Sequence, residues 1–199
     1  MIHKNIKYIP FGTRCSSAMV LKEYLHKRGA SLPLDWIDIP LKSIPAFIPD
    51  SKEGIALHVE KIFSSVKGQR HEALDIWFVH DFSKHGEPSD RELSEIKFKY
   101  TRRFERLFDI LKDETATIVT LTIIPHMNDE NIKAYKLAVN KLSLLTDSPI
   151  YPIVINLKPV EYVFGEINMV VPFNDNWDTF HKEIAGKLLS DKETKEFFE

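Results

Sequence analysis

The chain is nearly devoid of cysteine: Cys15 is the only one in 199 residues. An intramolecular disulfide and a cysteine-only zinc site are therefore excluded, and the usage suits a reducing compartment. Long hydrophobic runs are missing too. No stretch approaches the roughly 20 apolar residues of a membrane helix. The opening residues, with His3, Lys4 and Lys7, hold no apolar segment of the secretory kind. Neither charge sign dominates: 27 Lys and Arg face 29 Asp and Glu, a formal net charge of -2, so nothing points to general nucleic-acid binding. Internal repeats and low-complexity tracts are also lacking. These absences point to a cytoplasmic protein with no nucleic-acid or membrane partner, and no cofactor is implied. What is present is a hydrophobic fraction of 43%, ordinary for a globular core, over a length that suits one domain spanning residues 1–199.

The pattern alternates between strand-like and helix-like segments. Ile6 to Phe11 is an apolar run of strand type, and Ala18 to Arg28 carries Val20, Leu21, Tyr24 and Leu25 at helical spacing, with Gly29 as a stop. Pro33, Pro40, Pro45 and Pro49 break Leu32 to Asp50 into loop with short helical turns. Gly54 to Val66 reads as a helix and Leu74 to Val79 as a short strand. Ser89 followed by Glu92 is a capping box that opens a long helix to about Leu111. Thr115 to Ile124, rich in β-branched residues, is the clearest strand. A helix over Asp129 to Leu145, a strand over Ile150 to Leu157, an edge strand or hairpin within Tyr162 to Pro172 and a closing helix over Thr179 to Leu189 complete the order. This alternation predicts an α/β fold with a mostly parallel open sheet and helices on both faces.

Sheets of this kind bind ligands beyond the carboxyl ends of their strands, where strand order reverses. The residues placed there are Arg14, Cys15 and Ser16 after the first strand, His80 and Asp81 after the second, His126 after the third, and Asn156 and Lys158 at the end of the fourth. Gly12 to Ser17 reads as strand, tight turn and helix N-terminus. A thiol at that position gains thiolate stabilisation from the helix dipole, and the same backbone N–H groups with Arg14 suit a phosphate. Two chemistries therefore stay open at one turn.

In the first, Cys15 is a nucleophile, His80 its base and Asp81 the orienting carboxylate, with the Ser16 and Ser17 N–H groups as oxyanion donors. In the second, Gly12 to Ser16 cradles an anion that Arg103 and Arg106, three apart on the long helix, grip from the other side. Each residue also has a plainer role: Cys15 as a small buried hydrophobe, His80 and His126 as structural histidines, and the arginines as a solvated face. Asp35-Trp36, in a proline-bounded loop, is either core or pocket wall. No close-spaced metal-ligand motif is present, and no metal is expected.

The chain resembles a family of unknown function classed with papain-like cysteine peptidases. The stretches that carry the resemblance are Gly12-Thr13-Arg14-Cys15, Pro33-Leu34-Asp35-Trp36, Val79-His80-Asp81-Phe82 and Tyr100-Thr101-Arg102-Arg103-Phe104-Glu105-Arg106, in the family's order and rough spacing over the first two thirds of the chain. Pro10-Phe11 replaces the family's Ser-Leu, and Leu34 its phenylalanine. The resemblance implies Cys15 as nucleophile, His80 as base, Asp81 or Asp35 as a third member, and an α+β papain-like fold as the alternative to the open sheet. Three functions are thus expected in turn. The first is a cysteine-dependent hydrolase or acyl-transfer enzyme acting on a small-molecule or peptide substrate. The second is a phosphate- or nucleotide-sugar-binding α/β domain with Cys15 non-catalytic, and the third a non-catalytic interaction domain.

Overall fold

The computed structural model describes residues 5–27, 29–83, 87–124, 128–158 and 167–199. Its centre is a four-stranded sheet of β1 (Ile6–Pro10), β5 (Thr117–Ile124), β6 (Ile150–Asn156) and β7 (Ile167–Val170), in the order β1-β5-β6-β7. All three pairings are parallel, with Ile9 opposite Thr120 and Leu121 opposite Ile153. The α/β expectation holds, and the papain-like α+β alternative falls away. Among the described strands the order does not reverse, so the crevice of a doubly wound sheet is missing. β5 is central and buried on both faces, which is why its sequence is a continuous apolar and threonine run.

Alternation along the strands feeds two separate cores. On one face Ile9, Phe11, Ile118, Ile124 and Val154 meet α4 (Asp90–Leu111), α5 (Asp129–Ser143), α3 (Ile55–Phe63) and the proline-rich segment with α2 (Ile44–Phe47). On the other, Val119, Leu121, Ile123, Ile153 and Ile155 meet α1 (Ser16–Met19), α6 (Trp177–Ser190) and α7 (Lys195–Phe198). Tyr8 stacks on Phe198 at 5.5 Å and its hydroxyl donates to the Phe197 carbonyl, which docks the last turn against β1.

Three local expectations change. The first helix does not reach Arg28: beyond Met19 it widens into a π turn over Val20–Tyr24, and His26, at φ 51, closes it in the left-handed region. The Leu25 N–H bonds the Val20 carbonyl at 3.0 Å and the Lys27 N–H the Leu21 carbonyl at 2.9 Å. The strand expected over Leu74 to Val79 shrinks to β4 (Ile76–Trp77), because a 3-10 turn over Glu72–Leu74 and a left-handed Asp75 break the run. β4 pairs antiparallel with β3 (Arg70–His71), itself paired with β2 (Val66–Lys67), outside the main sheet. The capping box is half formed: Ser89 Oγ accepts from the Glu92 N–H at 3.2 Å, but the Glu92 carboxylate turns to the Ser83 N–H at 2.6 Å.

Candidate functional site

The turn after β1 is built by close approach. The Phe11 N–H still bonds the Leu121 carbonyl at 2.8 Å, and Gly12 then lets the chain fold back on α1. A Cβ on Gly12 would stand 2.7 Å from Ser17 Oγ, so only glycine fits without displacing that serine. The Cys15 carbonyl accepts the Met19 N–H at 2.9 Å and opens α1. The Ile39 N–H bonds the Thr13 carbonyl at 3.1 Å, which stitches the proline-rich segment onto the turn. Asp38 in turn exchanges two backbone bonds with Trp77, at 2.8 and 2.9 Å, so the small antiparallel sheet is tied to the same place.

Two cavities flank this turn. The larger, about 420 Å³, lies at the carboxyl edge of the parallel sheet. Thr13, Arg14 and Ser16 supply its polar end; Ile123 and Leu157, just at the ends of β5 and β6, and the aromatic pair Phe173 and Trp177 supply the rest. The two rings are 4.5 Å apart, and Trp177 begins α6 with close to half its surface in solvent. The smaller cavity, about 220 Å³, is a cleft between Arg14 and Cys15 on one side and Trp36, Ile37, Asp38 and Val79 on the other. Arg14 lines both.

Charge in the smaller cleft centres on Arg14 and Asp38, with Nε 3.7 Å from the Asp38 carboxylate. Burial raises the Asp38 carboxyl above its usual range against the pull of Arg14. Burial also raises the Cys15 thiol, more than its own backbone N–H and Arg14 lower it, and Asp38 adds to the rise. Cys15 stands at the start of a helical segment that runs from α1 straight into the π turn ending at Tyr24, and burial outweighs what that position offers the thiolate. The His80 ring meets the edge of Trp36 at 5.8 Å between centroids. Cys15 and His80 thus border the same indole, and no hydrogen bond joins them among the described residues.

Other residues singled out in the sequence are placed elsewhere. The Asp81 carboxylate has no solvent exposure; it accepts from the Tyr100 hydroxyl at 2.6 Å and from Lys99, with Arg103 at 3.5 Å. Arg103 is itself buried, its guanidinium 4.8 Å from the Tyr100 ring centre. Burial and the Asp81 charge hold the Tyr100 hydroxyl well above its ordinary range. Asp81 and Arg103 therefore lie together inside the protein as an ion pair. Arg106 donates to the Ser31 carbonyl at 3.0 Å and borders a separate groove beside β1, so the paired arginine grip does not form. Asp35 is buried and accepts the Leu32 N–H at 2.6 Å, shaping its own turn. Trp36 is held by an Nε1–H bond to Ser31 Oγ at 3.3 Å, with the Lys22 ammonium 5.9 Å from its ring centre. His126 lies outside the described residues.

Sequence reasoning found Arg14, Cys15, Ser16 and Trp36 at the two cavities, with Gly12 in the turn behind them, but missed Asp38, Ile123, Leu157, Phe173 and Trp177. The carboxyl-edge rule, applied to the ends of β5 and β6 and to the aromatic pair four residues apart at the start of α6, carried the signal for the last four. Nothing local marks Asp38. Among the described residues no group of three His, Cys, Asp or Glu side chains is arranged for a metal, and no helix is long and apolar enough to cross a membrane. Compared with family models, curated proteins and solved structures, the chain has no match.

Proposed function

We propose that this protein binds a nucleotide in the larger cavity, its base against Phe173 and Trp177 and its phosphates at Thr13, Arg14 and Ser16. The observation that carries the reading is the mixed lining of that cavity: a cation and two hydroxyl residues from the turn after β1, and an aromatic pair 4.5 Å apart, beside the carboxyl ends of β5 and β6. Its volume, about 420 Å³, falls within the roughly 300–1,000 Å³ of ordinary ligand sites. Cys15 faces the other cavity and has no part in this binding.

Titration with UDP, GDP and ADP tests it, followed by tryptophan fluorescence and melting temperature. At least one of the three is expected to bind and raise the melting temperature. Trp177→Ala is expected to weaken that nucleotide about tenfold, the scale of one lost base stack, and Arg14→Ala by a similar factor, that of a charge-assisted hydrogen bond. Cys15→Ala leaves the affinity unchanged. Failure of all three nucleotides to bind at millimolar concentration overturns the reading.

A second reading, a cysteine-dependent hydrolase or acyl-transfer enzyme, has one observation in its favour: Trp36 walls the cleft of Cys15 and also contacts His80. It accords with the resemblance to the peptidase-like family. The raised thiol works against it, since the attacking species is the thiolate. Alkylation of Cys15 by iodoacetamide across pH decides. A rate that plateaus below about pH 7.5 and slows in His80→Ala sustains the pair. A rate still rising through pH 9, indifferent to His80, removes it.

A further inference from the structure

The smaller cleft is held in shape more firmly than a surface groove needs. The backbone of Asp38 is bonded to Trp77 through both its N–H and its carbonyl, the N–H of the next residue, Ile39, is bonded to Thr13, and the Trp36 indole is pinned by Ser31. Its two distinctive side chains are a tryptophan and a half-buried carboxylate that accepts no hydrogen bond among the described residues, with Arg14 Nε 3.7 Å away. A carboxylate is an acceptor only, so its natural partners are hydroxyl or amine donors. An aromatic side chain offers a large, rigid apolar surface beside it. Together they match a ring that carries hydroxyls at its rim and C–H groups on its faces. The cleft, about 220 Å³, is below the usual range for a whole ligand and suits one such ring as an arm of something larger. Arg14 belongs to both cavities, so a phosphate held there stands at the junction.

Resting on the nucleotide reading, we infer that the ligand is a nucleoside diphosphate bearing a glycosyl group, with the sugar in the cleft of Trp36 and Asp38. The Asp38 carboxylate accepts from the sugar hydroxyls, and the base and phosphates remain in the larger cavity. Asp38 and Trp36 then set specificity for the glycosyl arm and leave the nucleotide half alone.

Calorimetric titration of UDP against UDP-glucose, GDP against GDP-mannose and ADP against ADP-glucose tests this. For one pair the sugar conjugate is expected to bind about tenfold or more tighter than its diphosphate, the scale of a hydrogen bond to a charged group. Asp38→Asn is expected to bring that ratio to about one, with the diphosphate itself held within about threefold. Trp36→Leu is expected to lower the ratio in the same direction, and it decides should Asp38→Asn fail to bind the diphosphate at all. Equal affinity for every conjugate and its diphosphate, or a ratio that survives both substitutions, overturns the glycosyl assignment while the nucleotide reading stands. If neither diphosphates nor conjugates bind, both fall.

Discussion

Asp81→Ala is expected to destabilise the protein by about 3–5 kcal/mol, the usual scale for removing one partner of a buried ion pair. The carboxylate is fully enclosed; it accepts hydrogen bonds from the Tyr100 hydroxyl and from Lys99 at its outer side, and it is the counter-charge of the Arg103 guanidinium, 3.5 Å away. Lys99 is about two-fifths exposed and returns to water when Asp81 is lost. Arg103 has no such escape: its side chain is 4 % exposed, so the variant leaves a buried cation without a counter-charge. Tyr100 loses its acceptor in the same step. Asp81→Asn keeps the shape and an acceptor for the Tyr100 hydroxyl, yet still strips the charge, and is expected to cost somewhat less. Adding Arg103→Met to Asp81→Ala should recover much of the loss, since the two effects share one interaction. Urea unfolding of the four proteins measures this. A loss below about 1 kcal/mol for Asp81→Ala, the scale of an exposed pair, would show that solvent reaches the network. The result also bears on function, because a carboxylate committed to Tyr100 and Arg103 is not available to orient His80.

Phe78→Ala is expected to cost a comparable 3–5 kcal/mol, as large-to-small aromatic changes in a core do. Phe78 is fully buried and sits in a ring cluster, 5.0 Å from Phe63, 5.5 Å from Tyr100, 6.0 Å from Phe82 and 6.3 Å from Phe47. Alanine there leaves a void that four aromatic neighbours, themselves wedged together, cannot close. Phe78→Leu refills part of the volume and should cost well under half as much. Chemical denaturation measures both, and near-equal losses for Ala and Leu would mean that the cluster collapses easily. Phe78 is also the anchor that carries Val79 to the small cleft and His80 to Trp36. The alanine variant should therefore show faster hydrogen exchange at residues 76–80 than in α4.

How much of this was legible in the chain depends on the range of the interaction. β5 and α4 declare themselves, one by its β-branched run and the other by apolar residues recurring every three or four positions over 22 residues. Both signals are local, and each element buries the face that its own period marks. The segment Leu74 to Val79 has the same apolar character as a strand, but Asp75 in the left-handed region breaks it, and only the pairing with β3 and with Asp38 shows where the remaining two residues belong. The tyrosine and arginine run on α4 likewise announced a cluster of function-like residues without saying that its inner members point at Asp81.

Hydrophobic period and glycine placement act within a few residues, and they were enough to fix the alternation of strands and helices, the parallel sheet that follows from it, and the turn at Gly12 to Ser17. The tertiary structure alone decided what surrounds that turn. It put Asp81 and Arg103 together inside, moved Arg106 to another groove, and brought Asp38 from the proline-rich segment and Trp177 from the last long helix to the two sides of Arg14. The reason is physical: which charge meets which depends on contacts between residues tens to more than a hundred positions apart. Those contacts are set by the packing of two cores on opposite faces of one sheet, and no local pattern encodes them.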